Sequence, residues 1–129
     1  MRYYVIVLCI ALSVLVGGCG KKDATAQNEA LLGAVVKGDE AQVRSLLGEG
    51  ASLESRNKSD RTPLMLAALQ GNVVLLDMLL EKGADLRATD SAGMTPLLWG
   101  AFGGNAEVVA HLLKRGAEVN VRDKTGHTA

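Results

Sequence analysis

Thr62-Pro63-Leu64-Met65-Leu66-Ala67-Ala68-Leu69-Gln70-Gly71-Asn72 decides the fold, because its landmarks return 33 residues later as Thr95-Pro96-Leu97 and Gly104-Asn105. The recurrence continues downstream, where Leu79-Leu80 comes back as Leu112-Leu113 and Gly83-Ala84-Asp85 as Gly116-Ala117-Glu118. A fixed period of this length, punctuated by helix starts and stops, marks a stacked repeat array. Each unit is too small to bury its own apolar face, so its neighbours must cover it.

The second copy shows how one unit is built. Thr62 can accept an orphan amide hydrogen as an N-cap, and Pro63 sits at the first helical position, where no donor is needed. The small Ala67 and Ala68 allow close approach by neighbours, and Gly71 stops the first helix. A second helix carries Val74, Leu75, Met78, Leu79 and Leu80 as its apolar set, and Gly83 supplies a left-handed exit. Polar residues then project as a loop. Shifting by one period upstream aligns Leu31 with Leu64, Gly38 with Gly71, Leu46-Leu47 with Leu79-Leu80 and Gly50-Ala51 with Gly83-Ala84. That gives a first repeat without Thr-Pro-Leu, in which Asp39 can cap the second helix. The repeats run over about 29–58, 59–91 and 92–124, and residues 125–129 begin a fourth, with Thr128 one period after Thr95. The end of the sequence at Ala129 reads as an interrupted repeat.

These residues resemble the ankyrin repeat, whose pattern runs Gly-x-Thr-Pro-Leu-His, two alanines, a glycine, paired leucines and Gly-Ala-Asp. The best match is Gly93-Met94-Thr95-Pro96-Leu97 through Gly116-Ala117-Glu118-Val119-Asn120. The resemblance implies an all-α solenoid of stacked helix-turn-helix units with β-hairpin loops, which recognises proteins through a concave face and the hairpin tips. Three departures stand out. Met65 and Leu98 replace the family's histidine, exchanging a polar link for apolar filling. Asp60 occupies a glycine position where positive φ is expected. Gly100 replaces the first of the paired alanines, which should weaken that helix by about 0.5–1 kcal/mol.

The amino terminus has a different character. Met1-Arg2-Tyr3-Tyr4, an apolar run from Val5 to Val16 and Gly17-Gly18-Cys19 have the charged start, short apolar middle and small-residue exit of a secretory signal over residues 1–18. A dozen or so apolar residues fall short of the roughly 20 needed to span a bilayer. Leu15-Val16-Gly17-Gly18-Cys19 resembles a bacterial lipobox, which implies diacylglycerol on the Cys19 sulfur and an acyl group, palmitate or similar, on its new amino group. Two or three chains would hold the domain on a membrane, at about 0.8 kcal/mol per buried methylene. Gly20 rather than aspartate after Cys19 points by the same analogy to the periplasmic face of the outer membrane. Residues 20–28 are small and polar and read as a flexible tether, making 19–28 the lipidated cysteine and its linker.

Composition excludes several classes. The 14 basic and 14 acidic residues balance, which argues against bulk attraction to nucleic acid. Cys9 lies inside the signal, so cleavage leaves Cys19 alone, with no disulfide or thiol nucleophile. Glu107 and His111 can share a helix face, but a pair falls short of a metal site. No phosphate-cradling glycine loop is present. The sequence calls for no enzyme, cofactor or small-molecule substrate.

Partner binding is the remaining class. Val36, Leu69 and Phe102 are spaced by one period near the ends of the first helices, where an apolar row would cross the groove, with Phe102 as the aromatic anchor. Trp99 replaces Leu66 and is expected in the core. Arg56, Lys58, Arg61, Arg122 and Lys124, with Arg87, cluster in the loops as a basic rim suited to an acidic protein partner or to phospholipid headgroups. Three partner readings follow: protein–protein interaction in the envelope, an immunity protein or inhibitor of a toxin or envelope enzyme, and a scaffold for a periplasmic stress-defence enzyme such as a catalase.

Overall fold

The computed structural model describes residues 25–128, which contain six α-helices and no strand. They are α1 (25–37), α2 (Glu40–Gly48), α3 (Pro63–Gln70), α4 (Val73–Glu81), α5 (Pro96–Phe102) and α6 (Ala106–Lys114). Each repeat is one antiparallel pair; α3 packs on α4 and α5 on α6 within pairs, while α3 meets α5 and α4 meets α6 between them. The chain is an all-α repeat stack. The expected signal over residues 1–18, Cys19 and Ala129 lie outside the described residues.

The caps follow the sequence. The Thr62 and Thr95 hydroxyls accept from the Met65 and Leu98 amides, and Pro63 and Pro96 occupy the first turns. Asp39 and Asn72 cap α2 and α4 by accepting from Gln42 and Leu75. Gly71 closes α3 at φ 75°, and the loop positions Asp60, Gly93 and Gly126 repeat a left-handed turn at φ 64°, 79° and 90°. Aspartate tolerates this conformation better than most side chains, as its position required.

One core runs through all three repeats. Equivalent residues occupy equivalent environments: Leu31, Leu64 and Leu97 are buried beneath the first helices, Leu46, Leu79 and Leu112 beneath the second, and Ala51, Ala84 and Ala117 at the exits. Ala67 and Ala68 are fully buried, as close helix approach demands.

Four expectations need correction. The tether does not extend to Asn28: residues 25–28 already belong to α1, and the Asn28 side chain accepts the Ser52 amide at 2.8 Å. Val74 is 54% exposed, and Leu76 is buried instead. The Met65 sulfur does not act as filling alone, since it accepts the Thr62 amide at 3.4 Å and closes a capping box in which a thioether replaces the usual polar side chain. Gly100 is a packing requirement as well as a helix weakness: a Cβ there would lie 2.9 Å from a methyl of the buried Val108.

Candidate docking groove

Three loops in register form one wall of a groove. In each, an Asx side chain folds the backbone around its own oxygen. Asn57 Oδ1 accepts from the Ser59 and Arg61 amides at 2.9 and 3.0 Å. Asp90 Oδ1 accepts from Ala92 and Met94, both at 2.9 Å. Asp123 Oδ1 accepts from Thr125 and His127 at 2.8 and 2.9 Å. Successive loops are then tied together. Arg56 donates to the carbonyls of Asp60 in its own loop and Thr89 in the next, at 2.9 and 2.7 Å. Ser91 Oγ donates to the Ser59 carbonyl, and Lys124 Nζ donates to the Ser91 carbonyl at 2.6 Å.

The floor is apolar and belongs to α5. Leu98, Trp99, Ala101 and Phe102, with Met94 from the preceding loop, face a cavity of about 940 Å³ that Ser59, Arg61, Ser91, Lys124, Thr125 and His127 border on the loop side. Phe102 is 74% exposed and stands edge-on to Trp99, with ring centroids 5.5 Å apart and planes at 81°. This edge-to-face arrangement holds the Phe102 ring upright without burying it.

Trp99 joins floor to wall. Its indole is buried and its Nε1 donates to Asp90 Oδ2 at 2.9 Å. The Arg61 guanidinium lies 4.1 Å from the centre of its ring, with Arg61 Nε 3.9 Å from the same carboxylate oxygen. Asp90 therefore has both oxygens engaged inside the protein, and its charge faces Arg61 rather than solvent. Cation–π stacking on a partly dried indole is worth roughly 1–2 kcal/mol.

The three residues of the expected apolar row, Val36, Leu69 and Phe102, differ in what they touch. Phe102 lines the groove; Val36 is 56% exposed but outside the groove lining, and Leu69 packs half-buried against the core. The backbone at the first two positions serves the stack instead: Gln70 Nε2 donates to the Val36 carbonyl at 2.7 Å, and Asn105 Nδ2 to the Leu69 carbonyl at 3.0 Å. The rim divides likewise. Arg56 and Arg61 are engaged in loop contacts, and Arg87 faces Glu118 at 3.8 Å. Lys58, Arg122 and Lys124 are exposed, and among the described residues no carboxylate lies within 4 Å of them. The Asp90 link to Trp99 was the feature sequence reading missed. Its signal was present in the Asx residues at 57, 90 and 123, each three residues before a left-handed position.

No reactive constellation appears among the described residues. His111 pairs with Asp77 of the preceding repeat at 3.1 Å rather than with Glu107, and no group of three metal-binding side chains exists there. Thr125 Oγ1 lies 2.6 Å from His127 Nδ1 and 2.7 Å from Asp123 Oδ1. By donating to the carboxylate, the hydroxyl forms part of the turn. The Thr125 hydroxyl, followed by the His127 and Thr125 amides, holds the Asp123 carboxyl down to about 2.

The family model for ankyrin repeats, in three copies, matches residues 31–123. The chain belongs to the ankyrin-repeat family. Ankyrin repeats serve protein–protein interaction and are in general not enzymes. Among curated proteins, none matches the chain at a significant level.

Proposed function

We propose that this ankyrin-repeat protein is a lipid-anchored adaptor of the bacterial envelope that holds a protein partner in the groove between α5 and its loops. The observation that carries the docking reading is Phe102, a large aromatic left 74% exposed and braced against Trp99 beside a cavity of about 940 Å³. A solvent-facing aromatic fixed in orientation loses little entropy on contact, which is the property of an interface anchor. The anchoring reading, with lipid on Cys19 and the domain on the periplasmic face of the outer membrane, is supported by the sequence alone, through the apolar run before Gly17-Gly18-Cys19 and Gly20 after it.

The two halves separate experimentally. Labelled palmitate incorporated by the native chain and absent from Cys19→Ser, together with loss of membrane fractionation, supports the anchor; equal labelling removes it. Cross-linking in the envelope followed by mass spectrometry identifies what sits on the groove. Phe102→Ala should weaken capture by about 2 kcal/mol, the scale of an interface hot spot, and capture unchanged by Phe102→Ala would place the partner elsewhere.

A further inference from the structure

We infer that the occupant of the groove is an extended peptide segment of a protein partner, with an apolar side chain set on Phe102 and carboxylates facing Lys124. The inference rests on the docking reading and names the chemistry it selects. The groove's wall spans three successive loops, at Ser59, Ser91 and Thr125, and this continuity across repeats suits a chain running along them. Its floor is apolar, lined by Met94, Leu98, Ala101 and Phe102.

The charges on the wall set the sign. Two carboxylates border the cavity, yet both are turned inwards, with the Asp90 and Asp123 side chains 2% and 12% exposed. Asp90 is buried, with its oxygens bonded to the Ala92 and Met94 amides and the Trp99 indole. Asp123 is turned into its own loop, accepting from Thr125 and His127. On the cationic side, the Lys124 ammonium bonds only to a neutral carbonyl, that of Ser91, which leaves its full charge at the border. Arg61 adds a second cation, partly offset by Asp90 at 3.9 Å. The exposed charge an incoming chain meets beside the apolar ring is therefore the Lys124 ammonium, and a segment with glutamate or aspartate next to leucine or phenylalanine matches both.

The test uses the full chain in mild detergent and the fluorescence of Trp99, the chain's one tryptophan, which underlies the groove. Three short synthetic peptides share the same leucine and phenylalanine anchors, flanked by glutamate, serine or lysine. The glutamate peptide should shift Trp99 emission at a concentration about fivefold lower than the serine peptide, as expected for a few exposed charge pairs. The preference should shrink at high salt, where the screening length falls to about 3 Å at 1 M. Lys124→Glu, at an exposed loop position that leaves the core untouched, should reverse the order in favour of the lysine peptide. Equal binding of all three peptides, lost in Phe102→Ala, would overturn the acidic assignment and leave the groove as a docking site. A preference that survives Lys124→Glu would overturn it too, as would mixed micelles containing phosphatidylglycerol shifting Trp99 in place of the glutamate peptide. If no peptide moves Trp99 and partner capture is also indifferent to Phe102→Ala, the inference and the docking reading fall together.

Discussion

The second and third repeats start from one template and end in different states. In the second, α3 and α4 are covered on both sides, and Leu64, Met65, Leu66, Leu75, Leu76, Leu79 and Leu80 are all buried. In the third, α5 and α6 leave Phe102 and Leu113 at the surface, at 74% and 38% exposure. The sharpest contrast lies in two asparagines at equivalent positions. Asn72 caps its own helix by accepting the Leu75 amide. Asn105 makes no cap bond and instead donates to the Ala68 and Leu69 carbonyls at the end of α3.

The cause is one position upstream of the shared glycine. Gln70 reaches across to the Val36 carbonyl at the end of α1, but its counterpart is Gly103, which has no side chain to reach the equivalent Leu69 carbonyl. A Cβ on Gly103 would lie 2.6 Å from that carbonyl oxygen and 2.7 Å from Asn105 Nδ2. Glycine opens the space, and the asparagine leaves its cap to satisfy a helix-end acceptor that would otherwise be orphaned. One substitution thus moves a neighbour from a local role to an inter-repeat role.

This comparison can be broken or sharpened by substitution. The largest effect should come from the covered repeat: Leu79→Ala should cost about 2–5 kcal/mol, whereas Leu113→Ala should cost at most about 1 kcal/mol. Urea midpoints of the two variants decide it, and similar losses would mean that α5 and α6 are as well covered as α3 and α4. Next is Asp90→Ala, which strands the Ala92, Met94 and Trp99 donors and should cost on the order of 3 kcal/mol with a change in Trp99 emission. A stable variant with unaltered emission would show that the indole bond does not hold wall to floor. Gly103→Ala should then lose about 1–3 kcal/mol through the clash with Leu69. The neighbouring Gly104 is left-handed, at φ 71°, and open, so only position 103 tests the close approach.

The smallest effect concerns pH. The Asp123 carboxyl is held near 2 against an ordinary 3.8, so the folded loop favours its ionised form. Its contribution is complete above pH 3.8 and declines as pH falls towards and through about 2. Amide exchange at Thr125 and His127 should stay slow at pH 4 and accelerate near pH 2 in the native chain. In Asp123→Asn the acid-induced change should vanish, and an unaltered profile would assign it to another group.

Much of the stack was legible because each repeat carries its own start and stop. Thr62-Pro63, Thr95-Pro96, Gly71 and the Leu79-Leu80 pair act through local geometry and spacing, and Asp60 declared its left-handed turn by standing where Gly93 and Gly126 stand. The groove was only partly legible. Phe102 could be singled out as an aromatic anchor, but the bonds from Gln70 and Asn105 to the Val36 and Leu69 carbonyls follow from no spacing rule. The buried bridge from Asp90 to Trp99 joins residues nine positions apart across a loop, and its existence depends on where the loop folds back.

Taken alone, the sequence determined the period, the helix pairs and the left-handed turns, because these arise from backbone sterics and capping within a few residues. The tertiary structure decided which polar side chains cap their own helix and which cross to the next. It also decided which apolar side chains stay exposed and which charges keep a free face. Those outcomes depend on the distance between neighbouring repeats, and that distance is set by packing of side chains one period or more apart.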